Sequence, residues 1–379
     1  MSEPFKVGVV GPARVGKTTL LTAILSDTAD LLAGTPVSVA PDEETESRVR
    51  RQKNQLRSAI EAGEFNTSAL HGNREMAEYQ IKLQTDGDVG LEIPFHILDY
   101  PGGWLNPDAR KNHALAQEQW PRCRAHIKDS TMLLVPIDAA VLMEASTPAQ
   151  RGAVPNLLGI GDVDAVAGRV WAKARNQRPD EPAVLLLAPL KCEKYFADNG
   201  GAGYEAGLLR QKVRERYEEV LEHVRKECPD RHVRVVYAPI DTYGCVELME
   251  AEWLEPVPGE LNFRGHYRFR GRPPKFRVKA AGTIMQELCR GILDGEIDRT
   301  TKRIDHELST YTRLLERKAE KKGFWGALGY YLGGEAWDNQ TERRYGQEEI
   351  ARRQRQREQL HEAIKKLVAA PSDDRVEVW

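Results

Sequence analysis

The sequence predicts an α/β fold, a doubly wound and mostly parallel sheet followed by a C-terminal α-helical hairpin. Three observations carry that expectation. Short apolar runs recur with helical patterns between them, the first run breaks into a glycine-bounded loop that opens a helix, and beyond Cys245 the alternation stops. Strands separated by helices favour parallel pairing, because a parallel neighbour needs a crossover long enough to hold a helix.

The elements follow in order. Residues 5–10 read FKVGVV, a β-branched run suited to a buried central strand, and residues 17–24 open a helix. A charged helix, 42–63, is inserted before the next strand. Further strands are expected at 79–85, 93–98, 132–137, 183–188 and 233–238, with helices over 108–130 and 203–227. In such a sheet the ligand sits at the carboxyl ends of the strands. Residues 254–274, rich in Pro, Gly, Arg and aromatics, read as a linker or wrapping segment. Residues 278–322 then read as nearly continuous helix, with Ile297, Ile304, Leu308, Tyr311 and Leu315 on one stripe. A second helix is expected over 340–369, with sparser apolar positions at Tyr345, Ile350, Leu360, Ile364 and Leu367. The expected layout is a nucleotide-binding domain over 1–250 with a helical insertion at about 40–75, a basic and aromatic linker over 251–277, and a helical hairpin over 278–379.

The loop after the first strand, GPARVGKT, matches G-x-x-x-x-G-K-[ST] in a strand–loop–helix context, the signature of a P-loop NTPase. Its backbone N–H groups and the helix N-terminus converge on phosphate. Gly11 and Gly16 permit the tight path, and Lys17 would reach the β- and γ-phosphates. The Thr18 hydroxyl would ligate Mg²⁺. Ala13, Arg14, Val15 and Thr19 complete the expected nucleotide contacts. The strand at 93–98 runs into HILDYPGGW, which sets Asp99 at a strand end as an Mg²⁺ carboxylate and Gly102 three residues on, where its N–H can face a γ-phosphate.

These two motifs resemble the translation-factor-related (TRAFAC) class of P-loop GTPases, and within it the bacterial YcjX-like and double-GTPase-like proteins, over roughly residues 5–245. The resemblance implies a threonine that closes over Mg²⁺ and the γ-phosphate. Thr67 is the better placed, and Thr45 the alternative, in a charged segment where an exposed polar residue is the plainer reading. It also implies base recognition by Asn/Thr-Lys-x-Asp after the fifth strand. Here the run is LKCE, so Lys191 and Glu193 keep a lysine and a carboxylate at that spacing. A carboxylate can accept from guanine N1–H and N2–H₂, a donor pair adenine lacks. Ras-like relatives orient the attacking water with a glutamine after the glycine of this motif; this chain has Gly103.

The expected function is a GTP-binding switch, a slow GTPase that relays its nucleotide state to the hairpin, with Lys17, Thr67, Asp99 and Gly102 in the catalytic centre. An ATP-using P-loop NTPase and a nucleotide-stabilised scaffold with little turnover are the alternatives. Tyr100, in place of a glutamate after Asp99, weighs against an ATPase of Walker-B type.

Composition limits the rest. With 379 residues, 41% of them hydrophobic, the chain can bury a sizeable core, and a net charge of −2 gathers no nucleic acid. Locally, seven Lys/Arg alternate with Tyr267, Phe269 and Phe276 over 264–279, but a linker with docked aromatics and solvated arginines is favoured over a nucleic-acid site. Five scattered cysteines form no C-x-x-C pair, and no metal spacing or Ser-His-Asp pattern stands out. No apolar run approaches the about eighteen residues of a membrane span. A cytoplasmic protein is expected, with peripheral membrane contact through the glycine- and aromatic-rich tip at 321–339. An unidentified protein effector or activator, or self-association, is the other expected use of that tip.

Overall fold

The computed structural model describes residues 4–62, 75–85, 91–178, 181–199, 201–202, 204–230, 233–271, 273–295 and 339–379. A strand near the N-terminus, β1 (Phe5–Val9), lies inside an eight-stranded sheet. In spatial order the strands are β10 (Glu377–Val378), β7 (Arg234–Tyr237), β6 (Val184–Leu190), β5 (Met132–Asp138), β1, β4 (Glu92–Asp99), β3 (Ala77–Thr85) and β2 (Val37–Pro41). From β7 to β4 all neighbours run parallel, whereas β3 against β4, β2 against β3 and β10 against β7 are antiparallel. The result is a mixed, mostly parallel α/β sheet.

Strands β5 and β6 are buried along their whole length because helices cover both faces. Side chains alternate accordingly. Leu133, Val135, Leu185 and Leu187 enter the core cluster shared with α4 (Ala114–Asp129), α7 (Ile160–Val166) and α9 (Glu205–Glu227). Met132, Leu134, Leu186 and Ala188 enter the opposite cluster, shared with α1 (Lys17–Leu31), α10 (Gly282–Gly295) and α11 (Asn339–Ala369). Among the described residues the other α-helices are α2 (Glu43–Ala62), α3 (Pro107–Lys111), α5 (Ala139–Met143), α6 (Pro148–Leu157) and α8 (Lys173–Asn176), the last joined to α7 through a π-helical turn.

Several expectations change. The helix over 108–130 divides into α3 and α4, because Asn106 and His113 each accept backbone N–H groups and start a new helix. The stretch 254–274 is no linker: β8 (Val246–Val257) and β9 (Glu260–Phe269) form an antiparallel hairpin. Along β9 exposure alternates, so Phe263, Tyr267 and Phe269 turn inward while Arg264, His266 and Arg268 turn outward. The outward side chains are met across the hairpin, Arg268 and Arg270 by Glu247, and Arg264 and His266 by Glu252. The helix expected from 278 begins at Gly282, whose N–H donates to Asp27 Oδ2 at 2.6 Å. Leu360, Ile364 and Leu367 of α11 are buried as expected. The stripe from Ile297 to Leu315 and the tip at 321–339 lie outside the described residues.

Candidate functional site

The carboxyl ends of β1, β4, β5, β6 and β7 bring Gly11–Thr19, Asp99, Gly102, Lys191 and Glu193 to one edge of the sheet. At its centre is the Gly11–Thr18 loop. Gly16 has a φ of 107°, a left-handed conformation closed to most side chains, and α1 starts directly after it with no side-chain cap. The cap residue, a glycine, has no side chain to hold the first N–H groups of α1, an arrangement that suits an anion. Lys17 folds back over the loop, its Nζ donating to Gly11 O and Pro12 O, both at 3.0 Å. Burial lowers its pKa, and the nearby Asp99 charge opposes that shift. Val15 is buried, whereas Ala13 and Arg14 are exposed.

Strand β4 delivers Asp99 to the same place. Thr18 Oγ1 donates to Asp99 Oδ2 at 2.9 Å, and Asp99 is only 1% exposed. Beyond it the chain makes a tight turn, Gly102–Leu105, closed by Trp104 N–H donating to Pro101 O at 2.9 Å. Gly102 presses on the loop: a Cβ there would lie 2.1 Å from Ala13 N and 2.2 Å from Pro12 C. Tyr100 and Trp104 are buried, and the Tyr100 ring stands 5.7 Å from Lys17 Nζ. Arg110 steadies the turn by donating to the Trp104 and Leu105 carbonyls.

Of the two threonine candidates, Thr67 lies outside the described residues. Thr45 is not exposed, as its charged surroundings suggested, but fully buried. Its Oγ1 accepts from Gln80 N at 3.0 Å and its N–H donates to Asp42 Oδ1 at 2.9 Å. It joins α2 to β3 instead.

Lys191 sits after β6 with a left-handed φ of 57°. Its Nζ donates to Arg14 O at 3.0 Å and to the Asp138 carboxylate, with the Tyr267 ring 6.0 Å away. The lysine thus ties the end of β6 to the Gly11–Thr18 loop. Glu193 is buried, and the residue before it, Cys192, donates its Sγ–H to Asp241 Oδ1 at 3.5 Å and to Ile240 O at 3.6 Å, which sets the turn after β7 beside this end of β6. Burial, then the charge of Asp241, push the Glu193 carboxyl up to about 8. Sequence reasoning missed Asp138, Tyr243 and Gln52. Asp138 was visible as the carboxylate closing MLLVPID. Gln52 bridges Thr19 and Thr22 from α2, and Tyr243 Oη lies 3.4 Å from Thr19 Oγ1. No sequence pattern marks these last two.

A hydroxyl and a carboxylate, Thr18 and Asp99, are hard oxygen donors of the kind Mg²⁺ takes beside phosphate and water. Among the described residues no three His, Cys, Asp or Glu gather as a metal cage, and no helix is long and apolar enough to cross a membrane. His96 is a satisfied sheet residue, 2.9 Å from Glu78 Oε2. No protein-family model and no curated protein matches the chain.

Proposed function

We propose that the protein is a Mg²⁺-dependent GTP-binding switch with slow intrinsic hydrolysis, built as a P-loop NTPase of the TRAFAC class. The observation that carries the reading is the 2.9 Å contact between Thr18 Oγ1 and Asp99 Oδ2, made beside a lysine held over a glycine-bounded loop. Two groups 81 residues apart are thereby set where one hard cation would meet both. Lys17 and the first N–H groups of α1 would bind the phosphates, and the Gly102 N–H would face the γ-phosphate once the turn lifts from Pro12 and Ala13. Mg²⁺, when bound, would neutralise charge on the phosphate oxygens.

Hydrolysis then requires water to attack the γ-phosphorus as the bond to the β–γ bridging oxygen breaks, giving GDP and phosphate. Gly103 has no side chain to orient that water, so an intrinsic rate on the order of 10⁻⁴ to 10⁻² per second is expected. Lys191 supports the GTP assignment through its bond to Arg14 O, which would lay its stem along the base subsite. Glu193 would accept from guanine N1–H and N2–H₂ with its carboxylate oxygens. A nucleotide-stabilised scaffold with little turnover is the second reading, favoured by Gly103. The test is a titration of fluorescent GTP against fluorescent ATP with Mg²⁺, on wild type and Lys17→Ala. Tighter ATP binding would sink the GTP reading, and equal binding by Lys17→Ala would sink the site.

A further inference from the structure

The C-terminal segment returns to the sheet next to the proposed base subsite. Its strand β10 pairs with β7, and Trp379 stacks on Tyr237 with ring centroids 5.2 Å apart and planes 9° from parallel. That docking delivers Arg375, whose side chain is 8% exposed, between the two loops that follow β6 and β7. Nη1 donates to Asp241 Oδ2 at 2.7 Å, and Nη2 to Asp198 Oδ1 at 2.5 Å. The guanidinium carbon lies 3.9 Å from the Phe196 ring centroid. Arg375 is itself held, its N–H donating to Asp373 Oδ1 at 3.0 Å.

Both loops bear on Glu193. Asp241, fully buried, begins the turn after β7 and accepts from Cys192 Sγ at 3.5 Å, one residue before Glu193, and Asp198 lies five residues beyond Glu193. Asp241 and Glu193 are neighbouring buried acids, a pair that repels when both are ionised. The Arg375 fork offsets that repulsion and fixes both loops at once, which a point charge such as lysine cannot do with the same geometry. We infer that Arg375 is a positioning residue of the base subsite: it holds the turn after β7 against Glu193, so that discrimination between nucleotide bases depends on the docked C-terminal segment. The inference rests on the GTP reading above. Without Arg375, the buried Asp241 carboxylate loses its guanidinium partner and relaxes by taking a proton or by moving its turn. Either change disturbs the Asp241 contact with Cys192 and with it the placement of Glu193. Lys17 and Thr18 are held by the Gly11 and Pro12 carbonyls and by Asp99, so phosphate binding is expected to stand.

The experiment compares GTP, ATP and inorganic tripolyphosphate, each with Mg²⁺ at fixed salt, on the full chain and on Arg375→Ala and Arg375→Lys. The expected result is a fall of about tenfold in the GTP-over-ATP affinity ratio for Arg375→Ala, with tripolyphosphate affinity within about twofold of wild type and Arg375→Lys between the two. Because Arg375→Ala removes a buried partner and can unfold the segment, Asp198→Asn serves as a second variant. It loosens only the exposed arm, which Lys279 also contacts, and should lower the ratio about threefold. An unchanged ratio in folded variants overturns the inference, as does an equal loss for all three ligands. A wild type with no base preference overturns both this inference and the GTP reading. A selective wild type with unaffected variants overturns only the inference.

Discussion

Thr18 and Asp99 meet through a 2.9 Å hydrogen bond that joins the first turn of α1 to the last residue of β4. With Mg²⁺ bound, the two oxygens would act as separate ligands instead of as donor and acceptor. Thr18→Ala and Asp99→Ala should each weaken Mg²⁺-dependent GTP binding roughly 10- to 100-fold. Titrations with Mg²⁺ and with EDTA check this, since the loss should vanish when the metal is chelated. Equal losses in both conditions would mean that the pair only shapes the fold.

Gly102 is a further contact between the β4 turn and the Gly11–Thr18 loop, and it is steric. Gly102→Ala puts a methyl 2.1 Å from Ala13 N and 2.4 Å from Pro12 O, so the turn must lift off. Overpacking of this kind costs about 1–3 kcal/mol. The variant should melt a few degrees lower, and residues 99–105 should exchange amide hydrogens faster with and without GTP. Wild-type exchange in that stretch would show that the two loops are not coupled there.

Much of this was legible beforehand, for identifiable reasons. Strands buried on both faces, such as VLLLAPL, announce themselves by continuous apolar composition, and GPARVGKT is set by local backbone demands. The hairpin β8–β9 was missed because its inward residues alternate with Glu and Arg, so its average composition resembles a linker. Strand β10 is two residues long, below any periodic signal. Arg375 was invisible because its partners Asp198 and Asp241 are 177 and 134 residues away. Glu193 was read from its spacing alone, and that spacing gave no sign that it is buried beside the turn that Asp241 begins.

Glu193 also sets a pH dependence. Its folded-state pKa is raised from 4.5 to about 8, by burial first and the charge of Asp241 second. The folded protein therefore keeps a proton that the unfolded chain releases, and this contribution to stability is complete below about 4.5 and lost as pH rises through about 8. Glu193→Gln should remove that decline, so the variant gains thermal stability relative to wild type with increasing pH. Guanine N1–H and N2–H₂ require the ionised form, so GTP binding should release a proton and tighten by up to about tenfold per pH unit below 8 in wild type only. Parallel pH profiles for wild type and Glu193→Gln, in melting and in GTP affinity, would contradict both statements.

Gly103 offers a gain-of-function test. It lies in the tight turn after Asp99, and a Cβ built there meets nothing within 4 Å, unlike its neighbour Gly102. A side chain can be added without displacing the loop. Gly103→Gln should therefore orient the attacking water and raise the single-turnover GTPase rate by about tenfold or more, with GTP affinity within about twofold of wild type. Gly103→Leu adds similar bulk without an amide and should leave the rate unchanged. If Leu accelerated hydrolysis as much as Gln, the effect would come from filling space. If dilute wild-type monomer already turned over quickly, water would be oriented by another group, and Gly103 would no longer explain a slow switch.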